Sequence, residues 1–460
     1  MRVRCHALVK NRMQHPLKRW DRVSIMNVEL NRNTILEQFH GYGCTPKDFR
    51  VGGEYERTIV RPNGKPISYA EPLGIRWFLT QFMRRWGWSP KSEDGHIIAL
   101  TKDGASITLE PGGQFEISGA PHHSLSDLVE EFALNRSQVN LLAKEAGFTA
   151  ITCGLTPIAS IEDISWMPKG RYGIMQQYLP SKGDLAHFMM KGTTSVQCNY
   201  DFVDESDCAL KVKLCSALAP ITTALFANSP LYRNRPTGFQ SFRGHIWSRT
   251  DPDRTGFPPG LQDDFSFERW VDYLLDVPMM FYKAGHEWLP AQGRSFRTFM
   301  TKGIDGVFPD WDAWELHMTS VFPEVRIKRT IEVRGADCVS HELAVAFCAL
   351  FTGLLYSSKA LSLGLEVAEA ISSDGDRNGR FQRACRLGLE APFAGRSSAS
   401  WASKLVDAAK IGLMEWEPES CSLLAPLEAQ IQTGRSPATA LMQAWKANPN
   451  PEAIIHFLAY

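Results

Sequence analysis

The chain carries no net charge: across 460 residues, fifty lysines and arginines are balanced by fifty aspartates and glutamates. It therefore sets up no global field that would draw in nucleic acid or an anionic membrane surface, and any polyanionic ligand must be met by a local arrangement of charges. Long apolar runs are missing too. The longest, Leu343 to Tyr356, covers about 14 residues and is broken by Thr352 and Gly353, against the roughly 20 that a bilayer span needs. It predicts a buried core helix, and no membrane partner is expected. Ten cysteines include no CxxC pair and no Cys/His cluster at zinc-finger spacing, so mostly free thiols in a reducing compartment are expected, with a cytoplasmic location. There is no Walker sequence and no GxGxxG opening a helix, which excludes a P-loop or a dinucleotide fold as the source of a phosphate site. Repeats and low-complexity tracts are absent, and 44% hydrophobic with 11% aromatic residues is an ordinary globular composition.

Charge is one-sided only at the start. The first 25 residues hold Arg2, Arg4, Lys10, Arg12, Lys18, Arg19 and Arg22 against Asp21 alone. Serine is scarce there and Met26 opens a helix-forming stretch, so translated upstream sequence is favoured over an organelle-targeting leader. Residues 1–30 are accordingly set apart as a basic leader, 31–360 as a catalytic core and 361–460 as a helical C-terminal region packed on that core.

Short strands separated by amphipathic helices are expected in the first half. Ser124 and Asp127 make a helix start, after which Leu125, Leu128, Val129, Phe132, Val139, Leu142 and Ala143 form one apolar stripe that Gly147 ends. A second helix is expected over 204–228, and others over Trp401 to Met414 and Ala438 to Ala447. Ser229 to Asp264, rich in Pro, Gly, Arg and Asp and without periodicity, reads as a lid or binding loop.

Four segments carry the chemistry. Phe49 to Val60 (FRVGGEYERTIV) reads as a strand that turns Glu54 and Glu56 to one face and Tyr55 to the other. Ala105 to Ser118 (ASITLEPGGQFEIS) is kinked at Pro-Gly-Gly between two short strands, which lets Glu110 and Glu116 converge with Gln114 between them. Thr193 to Phe202 sets Gln197, Asn199 and Asp201 on one face, and Ile327 to Gly335, read as a single strand, sets Glu332 beside Arg334. Each alone fits the polar face of a half-exposed strand. Together they suggest carboxylates, amides and an arginine around one cavity, where each close glutamate pair would repel by about 4 kcal/mol at an effective dielectric near 20. Such a site calls for divalent cations, and all-oxygen ligands favour Mg²⁺ or Mn²⁺ over zinc. Carboxylate-held Mg²⁺ commonly carries nucleotide phosphates, and Arg334 is suited to fork onto a phosphoryl oxygen.

The stretches GGEYER (52–57), SITLEPGGQFEISGAP (106–121), MPKGRYGIM (167–175), MMKGTTSVQCNYDF (189–202), FRGHIWSRTDPDRTG (242–256) and HMTSVFPEVRIKRTIEVRGAD (317–337) resemble, in order, the glutamate–cysteine ligase family of the plant and proteobacterial type. The resemblance covers roughly residues 48 to 360. It implies an α+β fold of the glutamine synthetase type, a funnel of antiparallel strands with surrounding helices. It also implies an ATP- and Mg²⁺-dependent enzyme that phosphorylates the γ-carboxylate of L-glutamate and lets the amine of L-cysteine attack the γ-glutamyl phosphate, as a monomer or homodimer. Carried over by position, Glu54, Glu56, Glu110, Glu116, Gln197 and Glu332 would face the metal. Arg334 and Glu332 would be catalytic, Arg334, Asn199 and Gln114 would meet ATP, and Arg171, Arg243 and Trp247 would hold substrate. Structural salt bridges remain open for the two substrate arginines, and plain packing for Trp247. His245 and His317 receive no role. Gly53, Tyr55 and Thr330 depart from the usual family residues, which keeps two alternatives open: a ligase coupling glutamate to another amine, and a non-catalytic homologue.

Overall fold

The computed structural model describes residues 29–261 and 264–460; nearly all of the basic leader lies outside them. Its centre is a nine-stranded antiparallel sheet: β1 (Val51–Val60), β2 (Ser89–Glu93), β3 (His96–Lys102), β4 (Ala105–Leu109), β5 (Phe115–Ser118), β6 (Thr149–Ile151), β7 (Ser195–Tyr200), β8 (Val325–Ile327) and β9 (Ile331–Asp337). The order is β8-β9-β7-β1-β5-β4-β3-β2, with β6 paired to the far end of β1. The central strand β1 thus lies between β5 and β7, so residues 52–57 have a neighbour on at least one side at every position.

Helices cover one face of this sheet. The Leu125–Ala146 helix starts at Ser124, whose side chain accepts from the Asp127 N–H, and stops at Gly147 in the left-handed conformation, φ +71°. Its stripe packs on β1, where Phe132 meets Tyr55 with ring centroids 5.3 Å apart. The His341–Leu355 helix, buried along nearly its whole length, backs β7 and β1. Glu205–Leu225, capped by Asp204, backs β9; it is the one described helix long and apolar enough to cross a bilayer, and 83% of its apolar stretch is buried inside the protein. The Ser398–Trp416 helix packs on His341–Leu355 from outside, so buried residues on both sides of residue 360, from Tyr55 to Leu413, belong to one continuous core. All nine described cysteines are unpaired, and eight are buried.

Two sequence expectations change. The expected single strand over Ile327 to Gly335 is a hairpin: the chain reverses at Lys328–Thr330, with the Lys328 N–H on the Thr330 carbonyl at 3.0 Å, and Arg326 faces Glu332 across the pair. No Gly, Asn or Pro marks this turn, so alternation ran through it unbroken. The expected loop over Ser229 to Asp264 is a pinned segment that contains a helix, Phe242–Trp247. Its anchors are polar. Arg254 and Asp251, both fully buried, pair at 2.6 Å, and Ser229 and Ser241 hold the Asp337 carboxylate at 2.6 and 2.8 Å. Apolar periodicity cannot register a segment held that way.

Candidate active site

The other face of the sheet, roofed by the short helices Gly170–Tyr178, Ala186–Gly192 and Phe242–Trp247, forms a cavity of about 260 Å³, the scale of a small-molecule site. Its two walls carry opposite charge. On the acidic side, the strand register sets Glu56 directly opposite Glu116 on β5, and Glu54 opposite Gln197 on β7. Glu110 joins them from the turn between β4 and β5. That turn needs its glycines: Gly113 has φ +87°, and a Cβ on Gly112 would collide with the Lys191 carbonyl. Glu56 accepts from the Ser195 N–H at 2.6 Å and from its hydroxyl at 3.0 Å. Glu54 accepts from Asn199 Nδ2 at 2.8 Å, and Glu116 accepts from the Thr108 hydroxyl. Burial, reinforced by Glu110, pushes the Glu56 carboxyl up to about 7. Burial and the neighbouring Glu54, Glu110 and Glu56 push Glu116 well above the usual carboxylate range.

The opposite wall is basic. Arg326, Lys328, Arg334 and Arg243 line the cavity there, and Arg171 lines it from beside Tyr172, whose hydroxyl donates to the Leu109 carbonyl on β4. Arg334 sits in a β-bulge: Val333 pairs with Cys198 and Ala336 with Val196, so Arg334 and Gly335 together oppose Gln197. Bulges beside active sites re-aim side chains in this way, and the Arg334 guanidinium lands between Gln197 Oε1 and Glu332. Arg243 is tied to the same strand through its hydrogen bond to the Arg334 carbonyl, 3.0 Å. The Trp247 ring lies within cation–π range of both guanidinia, at 5.6 and 5.8 Å. Arg243 Nε and Trp247 Nε1 are buried donors without a partner, and both residues line the cavity. Unpaired buried N–H groups are costly, so this wall is prepared for an acceptor-rich ligand.

Glu54, Glu56, Glu110, Glu116, Gln114, Gln197, Arg171, Arg243, Trp247 and Arg334 all border the one cavity, as expected from the sequence. Three assignments read differently in the structure. Asn199 is off the cavity wall and is used up between Glu54 and the Thr330 hydroxyl, 3.0 Å from its Oδ1. Gln114 spends its amide on the backbone: it accepts from Gly112 N at 2.8 Å and donates to the Met190 and Thr193 carbonyls at 3.1 and 2.9 Å. It clamps the Glu110 turn onto the start of β7 and has no donor left for ATP. Glu332 is fully buried behind the wall, forked by Arg326 at 2.8 and 2.9 Å and flanked by Lys328 at 3.4 Å and by Arg334. Burial alone would raise its carboxyl; the three cations outweigh that and hold it well below the usual range.

The sequence reading missed Arg326, Lys328 and Asp337. The first two sit at i and i+2 just before the Glu332 strand, a basic alternation facing an acidic one, which is the signal that could have exposed the hairpin. Asp337 gathers Ser229, Ser241 and the Asn228 N–H, with Arg243 at 4.0 Å. It thereby seats the Phe242–Trp247 helix on β9. His317 is a core residue: its Nε2 lies 2.6 Å from the Leu274 carbonyl and burial lowers it to about 4.

The donor set fits a hard divalent cation, because Glu56 and Glu116 would ionise readily only beside added positive charge. Among the described residues, no three acidic, histidine or cysteine side chains close into a cage. An ion here would share one or two carboxylates with oxygens from its substrate, the usual Mg²⁺ arrangement.

Comparison with known proteins agrees with this geometry. The chain is 38% identical over 409 residues to the chloroplastic glutamate–cysteine ligase of Arabidopsis thaliana, covering 88% of this chain and 78% of the relative. It is 37% identical over 410 residues to chloroplastic glutamate–cysteine ligase B of Oryza sativa subsp. japonica, covering 88% and 82%. The fold is shared with a glutamate–cysteine ligase from Francisella tularensis solved in complex with AMP: TM-score 0.56 at 12% identity, over 89% of this chain and 87% of that one. The chloroplastic relatives overturn the expected cytoplasmic location, which rested on the unpaired cysteines and on preferring translated upstream sequence to a targeting leader. The sequence model of Glutamate-cysteine ligase family 2 matches residues 50–455, and the chain belongs to that family.

Proposed function

We propose that the protein is an ATP- and Mg²⁺-dependent ligase that joins the γ-carboxylate of L-glutamate to the amine of L-cysteine through γ-glutamyl phosphate, the first step of glutathione biosynthesis. The observation that carries this reading is the bipolar cavity, with four glutamates on β1, β5 and the turn before β5, four basic side chains on the β8–β9 side, and Arg171 as a fifth beside Tyr172. A triphosphate bridged by cations is the ligand whose two sides match these walls. Phosphoryl transfer of this kind is catalysed by positioning and charge neutralisation rather than by a protein nucleophile.

In this reading each Mg²⁺ would be held by one or two carboxylates from among Glu54, Glu56, Glu110 and Glu116, and would neutralise phosphate charge and let those carboxylates ionise. Gln197 orients Arg334, and Arg334 with Lys328 steadies the phosphates. Arg243 and Arg171 take the glutamate carboxylate, with Trp247 fixing the Arg243 plane. A γ-carboxylate oxygen attacks the terminal phosphorus and ADP leaves. The cysteine amine then attacks the acyl carbon and phosphate leaves.

The test is stoichiometric. With glutamate, ATP and Mg²⁺ alone, little ADP should form, because a phosphorylated intermediate shielded from water hydrolyses slowly. L-Cysteine should stimulate ADP release strongly, with one γ-glutamylcysteine per ADP. Stimulation by a different amine alone would change the acceptor and leave the mechanism standing. No stimulation by any amine, despite measurable Mg·ATP binding, would refute the ligase reading.

A further inference from the structure

The alternation that turns Glu54 and Glu56 of β1 into the cavity turns Tyr55 and Arg57 to the side covered by the Leu125–Ala146 helix. Arg57 is fully buried there. A guanidinium stays charged in any protein environment, and a buried charge is stable only when it is paired. Among the described residues, no carboxylate forms an ion pair with it. Arg57 Nη2 donates to Asn135 Oδ1 at 2.6 Å and Nη1 to the Tyr460 hydroxyl at 3.1 Å, both neutral acceptors. The Tyr55 and Tyr460 rings lie 5.1 and 4.9 Å from the guanidinium carbon and offer only their quadrupoles. A second cation, Arg136, approaches the same Tyr460 ring at 5.4 Å, which adds to the excess of positive charge.

The neighbours that could ionise do not supply the missing charge. Burial pushes the Tyr55 and Tyr460 hydroxyls and the Cys338 thiol upward, so all three are neutral near pH 7. What is left over is donors. Arg57 Nε and Asn135 Nδ2 are both buried without a partner, on residues 0% and 2% exposed. One hydrogen bond joins the two side chains, which sets both free donors around the same guanidinium. Unpaired buried N–H groups are costly, and here they coincide with an uncompensated charge.

We propose that Arg57 and Asn135 hold a small inorganic anion of the halide class, between β1 and the Leu125–Ala146 helix. The anion accepts from Arg57 Nε and Asn135 Nδ2 and provides the negative charge that no side chain provides. Size sets the class. The Tyr55 ring packs on both Phe132 and Tyr460 with centroids 5.3 Å apart, which suits a monatomic ion better than a phosphate or a carboxylate. A water molecule could satisfy the same donors but would leave the charge unpaired. The site lies across β1 from the cavity and is independent of the ligase reading.

Thermal unfolding of the full chain in sodium chloride and in sodium gluconate, at equal ionic strength, tests the proposal. Chloride should raise the wild-type midpoint by at least about 2 °C, with a dependence on concentration that saturates as site binding requires. Equal midpoints, or a rise that never saturates, overturn the proposal. Asn135→Asp places a carboxylate against Arg57 and should abolish the chloride dependence while raising the midpoint in gluconate; an undiminished chloride effect in this variant overturns it. If that variant fails to fold, crystals of the wild type soaked in sodium bromide carry the decision. Anomalous scattering should show bromide within hydrogen-bonding distance of Arg57 Nε, and a water in that place overturns the assignment.

Discussion

The two walls of the cavity solve the same electrostatic problem in opposite ways. The basic wall carries its own counter-ion: Glu332 sits behind Arg326, Lys328 and Arg334 and ion-pairs with all three. The acidic wall has no such ion pair, and Arg243 only partly offsets the burial of Glu56. Ser195, Asn199 and Thr108 give its glutamates hydrogen bonds but no positive charge, and burial with mutual repulsion raises Glu56 and Glu116. A wall with a built-in counter-ion is ordered before the ligand arrives, whereas one without is completed by what binds.

The largest break in this comparison comes from removing a carboxylate from the incomplete wall. Glu56→Gln should lower turnover at least about a hundredfold, the loss expected when a charge that positions a catalytic metal disappears. Glu332→Gln should lower turnover comparably, since it leaves Arg326, Lys328 and Arg334 without their shared buried partner. Near wild-type steady-state rates in both would remove the acidic wall from the chemistry.

A smaller effect separates structural amides from ligand-facing ones. Gln114→Ala leaves the Gly112 N–H and the Met190 and Thr193 carbonyls without their partner, which should cost about 1–3 kcal/mol. The thermal midpoint should fall while the KM for ATP holds steady. A raised KM at unchanged stability would return Gln114 to the nucleotide.

The acidic wall should also make stability depend on pH. The Glu56 carboxyl moves from its ordinary 4.5 to about 7 in the folded chain, so the folded state binds the proton more tightly than the unfolded one. Its protonation stabilises the fold below that window, and the advantage is lost as pH rises from 4.5 through 7. Melting curves across this range should decline less steeply for Glu56→Gln, and saturating Mg²⁺ should flatten the wild-type decline. An identical slope in variant and wild type would show that this carboxyl does not titrate as its surroundings require.

The smallest expected effect is redox. Eight of the nine described cysteines are buried and none is paired, and burial raises the Cys153, Cys208 and Cys338 thiols, which keeps them unreactive. Rates in strong reductant and mild oxidant should differ by less than about twofold, since oxidation follows thiolate character and exposure. A large reversible change would show that a thiol pair forms near one of the walls.

Much of the site was legible in the sequence because strand alternation is local. Glu54 with Glu56, Gln197 with Asn199 and Glu332 with Arg334 each share a face by period two, and EPGGQFE announced its own kink. Helix ends were legible for the same reason: Ser124, Gly147 and Asp204 act within one turn of their own positions. The C-terminal helices were expected and found, since their periodicity is long and apolar. The Phe242–Trp247 helix was hidden, since its six residues are too few to show a period.

The sequence by itself determined the family, the set of charged residues and which of them point the same way. Tertiary structure decided what each one faces. Glu332 was expected among metal ligands and stands among cations because a turn at Lys328–Thr330 folds Arg326 back over it. Gln114 was expected at a nucleotide and clamps a turn because the Met190 and Thr193 carbonyls arrive from more than seventy residues away. Arg334 reaches Gln197 through a bulge that no spacing rule announces. Period and capping act over a few residues and are written in order along the chain, whereas the partner of a buried charge is fixed only once distant segments pack, because burial makes every unpaired polar group expensive.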